Sequence, residues 1–274
     1  MRAYRSAVAA TLVSLLVVGV PVMAQESPSH VTFDGVGFSF DSSLGTSANI
    51  AQVPGGPSDV EQPTGPEVPH LAFTLYAPQS EATKVPRASV APGVVRFYRT
   101  AELAGYQQAS EELATLAALL DERPDLALAT DPAAEGGGEA LPYLPVMPAA
   151  QVIRSRAQYI DTPALTGVAY LTAFRQDASP FASGDFWYTF QGLSADGAWY
   201  VAADFAIDAD MFPAEVTAKQ TERIAEPESY AAYLGESVQR LNDAAPGAFD
   251  PPLASIDALV RSIVIDDAPA SDQG

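Results

Sequence analysis

Cations are scarce in this chain, and their placement is its most distinctive chemical feature. There are 14 Lys and Arg against 34 Asp and Glu. Arg96, Arg99, Arg154, Arg156 and Arg175 all fall where apolar and polar residues alternate, which is the pattern of β-strands. Guanidinium groups on a sheet can take a carboxylate or phosphate through two parallel N–H donors. A spacing of two residues predicts that Arg154 and Arg156 project from one side of one strand, a local positive spot in an otherwise negative protein. Such a spot is filled either by internal carboxylates or by an external anion, and the internal occupant is the expectation, with the arginine stems lying over apolar surface.

Trp187 and Trp199 are the other binding candidates. They sit on the two arms of a hairpin beside Tyr188 and Tyr200, where exposed rings on a rigid sheet would suit a carbohydrate or a partner protein. Core packing explains them equally well and is the weightier reading, since strand aromatics commonly bury large areas.

Other chemistries find little support. The chain has only His30, beside the expected new N-terminus, and His70, at a strand start, and no cysteine, so a Ser-His-Asp device lacks a pre-organised imidazole and a zinc site its usual ligands. There is no D-x-[DN]-x-[DN]-G calcium loop. Gly136-Gly137-Gly138 is followed by no Lys-Ser/Thr and reads as linker rather than phosphate cradle. Asp204, Asp208 and Asp210 read as solvated acids at a strand exit. A carboxylate pair roughly 5–10 Å apart could run a glycosidase, but with so many acids proximity in sequence singles out none. No cofactor and no metal is expected.

Residues 1–24 carry Arg2 and Arg5, an apolar run from residue 7 to 20, and Val22-Met23-Ala24, the small-residue pattern of a signal-peptidase site. Cleavage would leave 12 Lys and Arg against 34 Asp and Glu, a formal charge of −22. That charge disfavours nucleic acid and anionic membrane surfaces as partners. A secreted or periplasmic location follows, with a protein or a small anionic or carbohydrate ligand as the partner class.

The elements that must position these residues are mainly strands. Over residues 184–207, Phe186, Tyr188 and Phe190 alternate with Trp187, Thr189 and Gln191; Trp199 to Ile207 alternates likewise, and Asp196-Gly197 marks the turn. Residues 31–40 read as a short hairpin or a strand with a bulge, forming an early sheet edge, and residues 70–76, 94–99, 151–161 and 168–176 as further strands. Proline-rich 51–69 and glycine-rich 129–140 read as loops. An amphipathic helix is expected over 102–120, with Ser110 as a plausible N-cap. A second carries Tyr230, Tyr233, Leu234, Val238 and Leu241 on one face, and a last one begins with Asp250 as N-cap and Pro251 at its first position. Three prolines make residues 141–148 an extended strap across the core, and 266–274 reads as a disordered tail. The sum is one α+β domain over residues 25–265: a mainly antiparallel sheet of five to seven strands with helices on its faces.

The run LPYLPVMPAAQV, the strand GVAYLTAFRQ and the hairpin FWYTFQGLSADGAWYVAADFAI together resemble a family of exported bacterial proteins of uncharacterised function. That resemblance spans about residues 31–264 and implies no activity. The element order is also similar to the αβα sandwich of PsbP-like and Mog1-like proteins, which implies a non-enzymatic binding or assembly factor. A carboxylate-dependent secreted hydrolase is the alternative.

Overall fold

Alternating apolar residues with a two-residue period make a strand bury one side against each layer of a sandwich. The computed structural model, which describes residues 28–56, 67–76, 93–129 and 140–266, builds most of its core this way. The expected leader, the Gly triplet and residues 267–274 of the tail lie outside the described residues.

The strands are β1 (Ser29–Phe33), β2 (Val36–Phe40), β3 (Ser47–Val53), β4 (His70–Tyr76), β5 (Gly93–Arg99), β6 (Ala150–Asp161), β7 (Leu165–Arg175), β8 (Phe186–Ser194), β9 (Trp199–Ala209), β10 (Phe249–Asp250) and β11 (Val264–Ile265). The main sheet runs β3-β4-β5-β9-β8-β7-β6, with β10 paired to the end of β9. Every pairing is antiparallel. The architecture is therefore the α+β arrangement that the alternation predicts.

The β8–β9 hairpin is central, as its two-sided apolarity requires. Its turn places Gly197 at φ 71°, and the Asp196 carboxylate accepts from the Ala198 amide. That geometry suits a residue without a Cβ beside one that can bond its own backbone.

Helices cover both sides. The helices are α1 (Thr100–Leu103), α2 (Gln107–Glu122), α3 (Leu126–Ala129), α4 (Ala218–Arg223), α5 (Pro227–Asp243) and α6 (Leu253–Arg261). On one face Leu103, Ala109, Leu116, Leu126 and the strap residues Leu141 and Leu144 pack against Tyr98, Tyr170, Tyr200 and Ala202. On the other, Val238, Leu241, Ile256, Leu259 and Val260 join Phe73, Phe97, Phe186, Phe190 and Phe205.

Several boundaries differ from the sequence reading. The 31–40 hairpin pairs with β11 in a separate three-stranded sheet, not at the edge of the main one. Residues 51–53, read as loop, belong to β3, which pairs along its length with β4. The first long helix starts after Tyr106 rather than at Ser110, and Gly105 falls in the turn between α1 and α2, where its cost inside a helix is avoided. Asp250 does not cap α6. It is held extended opposite Asp208, and α6 starts after Pro252. Pairing with β9, together with the preference of a residue before proline for extended backbone, outweighs its capping tendency.

Candidate functional site

The strap-covered face of the main sheet carries most of the buried polar side chains. On β9 the face is lined by Tyr200, Ala202 and Asp204; on β8 by Trp187, Thr189 and Gln191; on β5 by Arg96 and Tyr98. Asp204 is thus turned inward by the same alternation that buries Tyr200, and the expectation of a solvated acid is corrected: it is buried.

Asp204 sits at the centre of a continuous hydrogen-bonded network. Its Oδ2 receives the Arg96 Nη1 at 2.6 Å and its Oδ1 the Thr189 hydroxyl at 2.8 Å, and the Tyr143 hydroxyl also donates to it. Thr189 Oγ1 accepts from Gln191 Nε2 at 2.7 Å, and Gln191 Oε1 accepts both the Tyr200 hydroxyl at 2.7 Å and the Leu144 amide at 3.0 Å. Burial pushes the Asp204 carboxyl up to about 6, against the opposing pull of Arg96, Thr189 and Tyr143.

The strap is held by side chains, residue by residue, because its prolines keep it out of any ladder. The Leu141 amide donates to Gln151 Oε1 at 2.8 Å, the Pro142 carbonyl accepts from the Tyr170 hydroxyl at 2.7 Å, and the Tyr143 amide donates to Glu112 Oε2 at 2.9 Å. Burial also raises the Glu112 carboxyl above its ordinary range. Two acids with raised affinity for protons therefore meet one residue, Glu112 at the Tyr143 amide and Asp204 at its hydroxyl.

The four sequence candidates part company. Arg154 pairs across β7 with Thr172, which pairs in turn with Trp187 on β8; these three form one cross-strand row on the strap face. Arg154 is buried and Trp187 half-buried. Trp199 lies in the opposite core against Phe97, with the Arg99 guanidinium 3.7 Å from its ring centre.

Arg156 does not share a side with Arg154. The register of β6 shifts between Ser155 and Gln158, and Arg156 takes φ 51° in that bulge. Its guanidinium turns to the α5 face, where Nε donates to Leu241 O at 2.7 Å and Nη2 to the Asn242 and Ala244 carbonyls. Arg156 thus caps the C-terminal carbonyls of α5, a favourable place for a cation. Arg156→Ala is expected to lower the unfolding free energy by about 1–2 kcal/mol, read from urea denaturation. Alanine keeps the left-handed strain, so the loss reports the cap itself; an unchanged midpoint would contradict this role.

The histidines sit elsewhere. His30 shares an exposed 3.2 Å bond with Ser39 on the β1–β2 hairpin. A ring nitrogen of His70 donates to the Val68 carbonyl, and burial holds this imidazole below its usual value. Among the described residues no group of three or more histidine or acidic side chains converges as a metal site would need, and no helix is long and apolar enough to cross a membrane. An open groove of about 540 Å³ borders the end of α5 between Asp210, Gln239 and Asp243. Its arginine, Arg240, already donates to the Met211 carbonyl and lies over the Phe212 ring. The strap face, with its perturbed acids and the buried Arg154, is the better candidate site. Compared with family models, with curated proteins and with solved structures, the chain gives no match.

Proposed function

We propose that this protein is an exported, non-enzymatic binding module whose ligand site lies on the strap face. What supports the reading is the condition of Asp204. A catalytic carboxylate must offer an oxygen, or a proton, to a substrate within hydrogen-bond reach. Asp204 is buried, and both oxygens are engaged by Arg96, Thr189 and Tyr143. Its raised proton affinity is accounted for by burial alone, without a catalytic purpose.

The expected result with chromogenic glycosides and esters is no turnover above a heat-denatured control, from the parent protein and from Asp204→Asn alike. Turnover abolished by Asp204→Asn or Glu112→Gln in a folded variant would replace this reading with a carboxylate-dependent hydrolase. Export is part of the proposal, and it predicts an N-terminus at or near Gln25 in native material outside the cytoplasm, measured by intact mass. Recovery of the chain with Met1 intact would contradict cleavage.

A further inference from the structure

We propose that Arg154 anchors a site for a small monocarboxylate ligand whose apolar body lies toward Trp187. This deepens the reading above and rests on it.

The observation behind it is an imbalance. Acids outnumber bases by 34 to 14, and Arg96, Arg123 and Arg175 each hold one, Asp204, Asp161 and Asp185 respectively. Arg156 is satisfied by helix carbonyls. Arg154 is 8% exposed, more deeply buried than those others, yet among the described residues it has no carboxylate partner. Its Nη1 donates to Gln151 O at 3.1 Å, and its buried Nε has no hydrogen-bond partner among the described residues.

A guanidinium taken from water without a counter-charge is held at a cost that a neighbouring acid would offset. A buried cation with no carboxylate partner among the described residues of so acidic a chain is the arrangement of a site that receives its anion from outside.

Geometry narrows the ligand. With Nη1 taken by Gln151, the Nε–Nη2 edge remains, whose two parallel N–H groups match a planar carboxylate; Nε is buried, so a ligand reaches this edge only by displacing what now covers it. The other arginine of this face described above, Arg96, is already joined to Asp204, so one guanidinium balances one negative charge. That favours a monocarboxylate over a phosphate dianion. Along the row, Arg154, Thr172 and Trp187 sit on successive strands. At about 4.8 Å per strand, the arginine and tryptophan backbones are separated by roughly 10 Å. A short aliphatic or aromatic body attached to the carboxylate spans that distance and covers the half-buried indole.

The probes are sodium acetate, hexanoate, phenylacetate and inorganic phosphate, titrated into the mature protein by calorimetry and followed by the Arg154 Nε–H resonance. Hexanoate or phenylacetate should bind saturably, at least about tenfold more tightly than phosphate, and Arg154→Lys, which keeps the charge and loses the fork, should weaken binding at least about tenfold. If Arg154→Lys does not fold, the unaltered protein decides: the Arg154 Nε–H must shift downfield on saturation. Equal affinity in Arg154→Lys, an unmoved Nε–H at saturation, or no saturation up to the solubility of the salts would overturn the Arg154 site while leaving the binding-module reading in place. Asp204-dependent turnover of an ester would instead remove that reading itself.

Discussion

Replacing Asp204 with alanine is expected to lower the unfolding free energy by about 3 kcal/mol at pH 7.5. The substitution strips Arg96, Thr189 and Tyr143 of a shared acceptor in one step, and leaving donors buried without partners is costlier than the bonds are individually worth. The pH dependence adds a second signature. The Asp204 carboxyl titrates at about 6 in the fold and at about 3.9 when unfolded. A folded value above the unfolded one means the group's stabilising contribution is fully present below about pH 4 and is lost as pH rises through 6. The alanine variant should therefore lose a further ~2 kcal/mol at pH 4.5 relative to pH 7.5. Urea denaturation of parent and variant at both pH values measures this. A loss that is equal at the two values, or larger at pH 7.5, would mean that burial does not govern Asp204.

One signal in the sequence marks that network. The Asp196-Gly197 turn fixes the register of β8 against β9, and the register puts Thr189 opposite Asp204 and Gln191 opposite Ala202. Two polar residues on alternate positions of one arm, facing an aspartate on the other, mark a polar seam within a buried face. The three nearby aspartates instead suggested a solvated cluster, because proximity in sequence ignores which side of a strand each occupies. The hairpin itself and helix α5 were legible, since their apolar periods are long and regular. Strand β3 was not: SANIAQV is mostly half-exposed, with weak alternation, and its pairing with β4 supplies what its own pattern lacks. The position of Arg156 was beyond reach for another reason. No glycine or proline marks the β6 bulge, and the carbonyls that draw the guanidinium away belong to a helix some 85 residues further on. The Tyr143 contacts were hidden similarly, because a strap held by side chains from α2, β6, β7, β8 and β9 leaves no periodic trace in its own sequence.

The packing of Phe190 on the α5 face lends itself to a double-mutant cycle. The Phe190 ring lies across a bare patch of backbone made by two glycines paired in register, Gly167 on β7 and Gly192 on β8. A Cβ at Gly192 would stand 2.5 Å from the Phe190 Cζ, and one at Gly167 at the same distance. Ring and glycines therefore require each other. Phe190→Ala opens a cavity in a fully buried site and is expected to cost about 3–5 kcal/mol. Gly192→Ala in the parent forces the ring off its seat, at a cost of about 1–3 kcal/mol. With the ring already gone, the nearest remaining neighbour of that methyl is the Thr166 carbonyl at 3.1 Å, a contact that a small backbone adjustment relieves, and the methyl begins to fill the void. The double variant should accordingly be at least about 1 kcal/mol more stable than the sum of the single losses predicts. Urea midpoints and slopes for the four proteins close the cycle. Additivity to within about 0.5 kcal/mol would show that the ring does not depend on the absence of side chains beneath it.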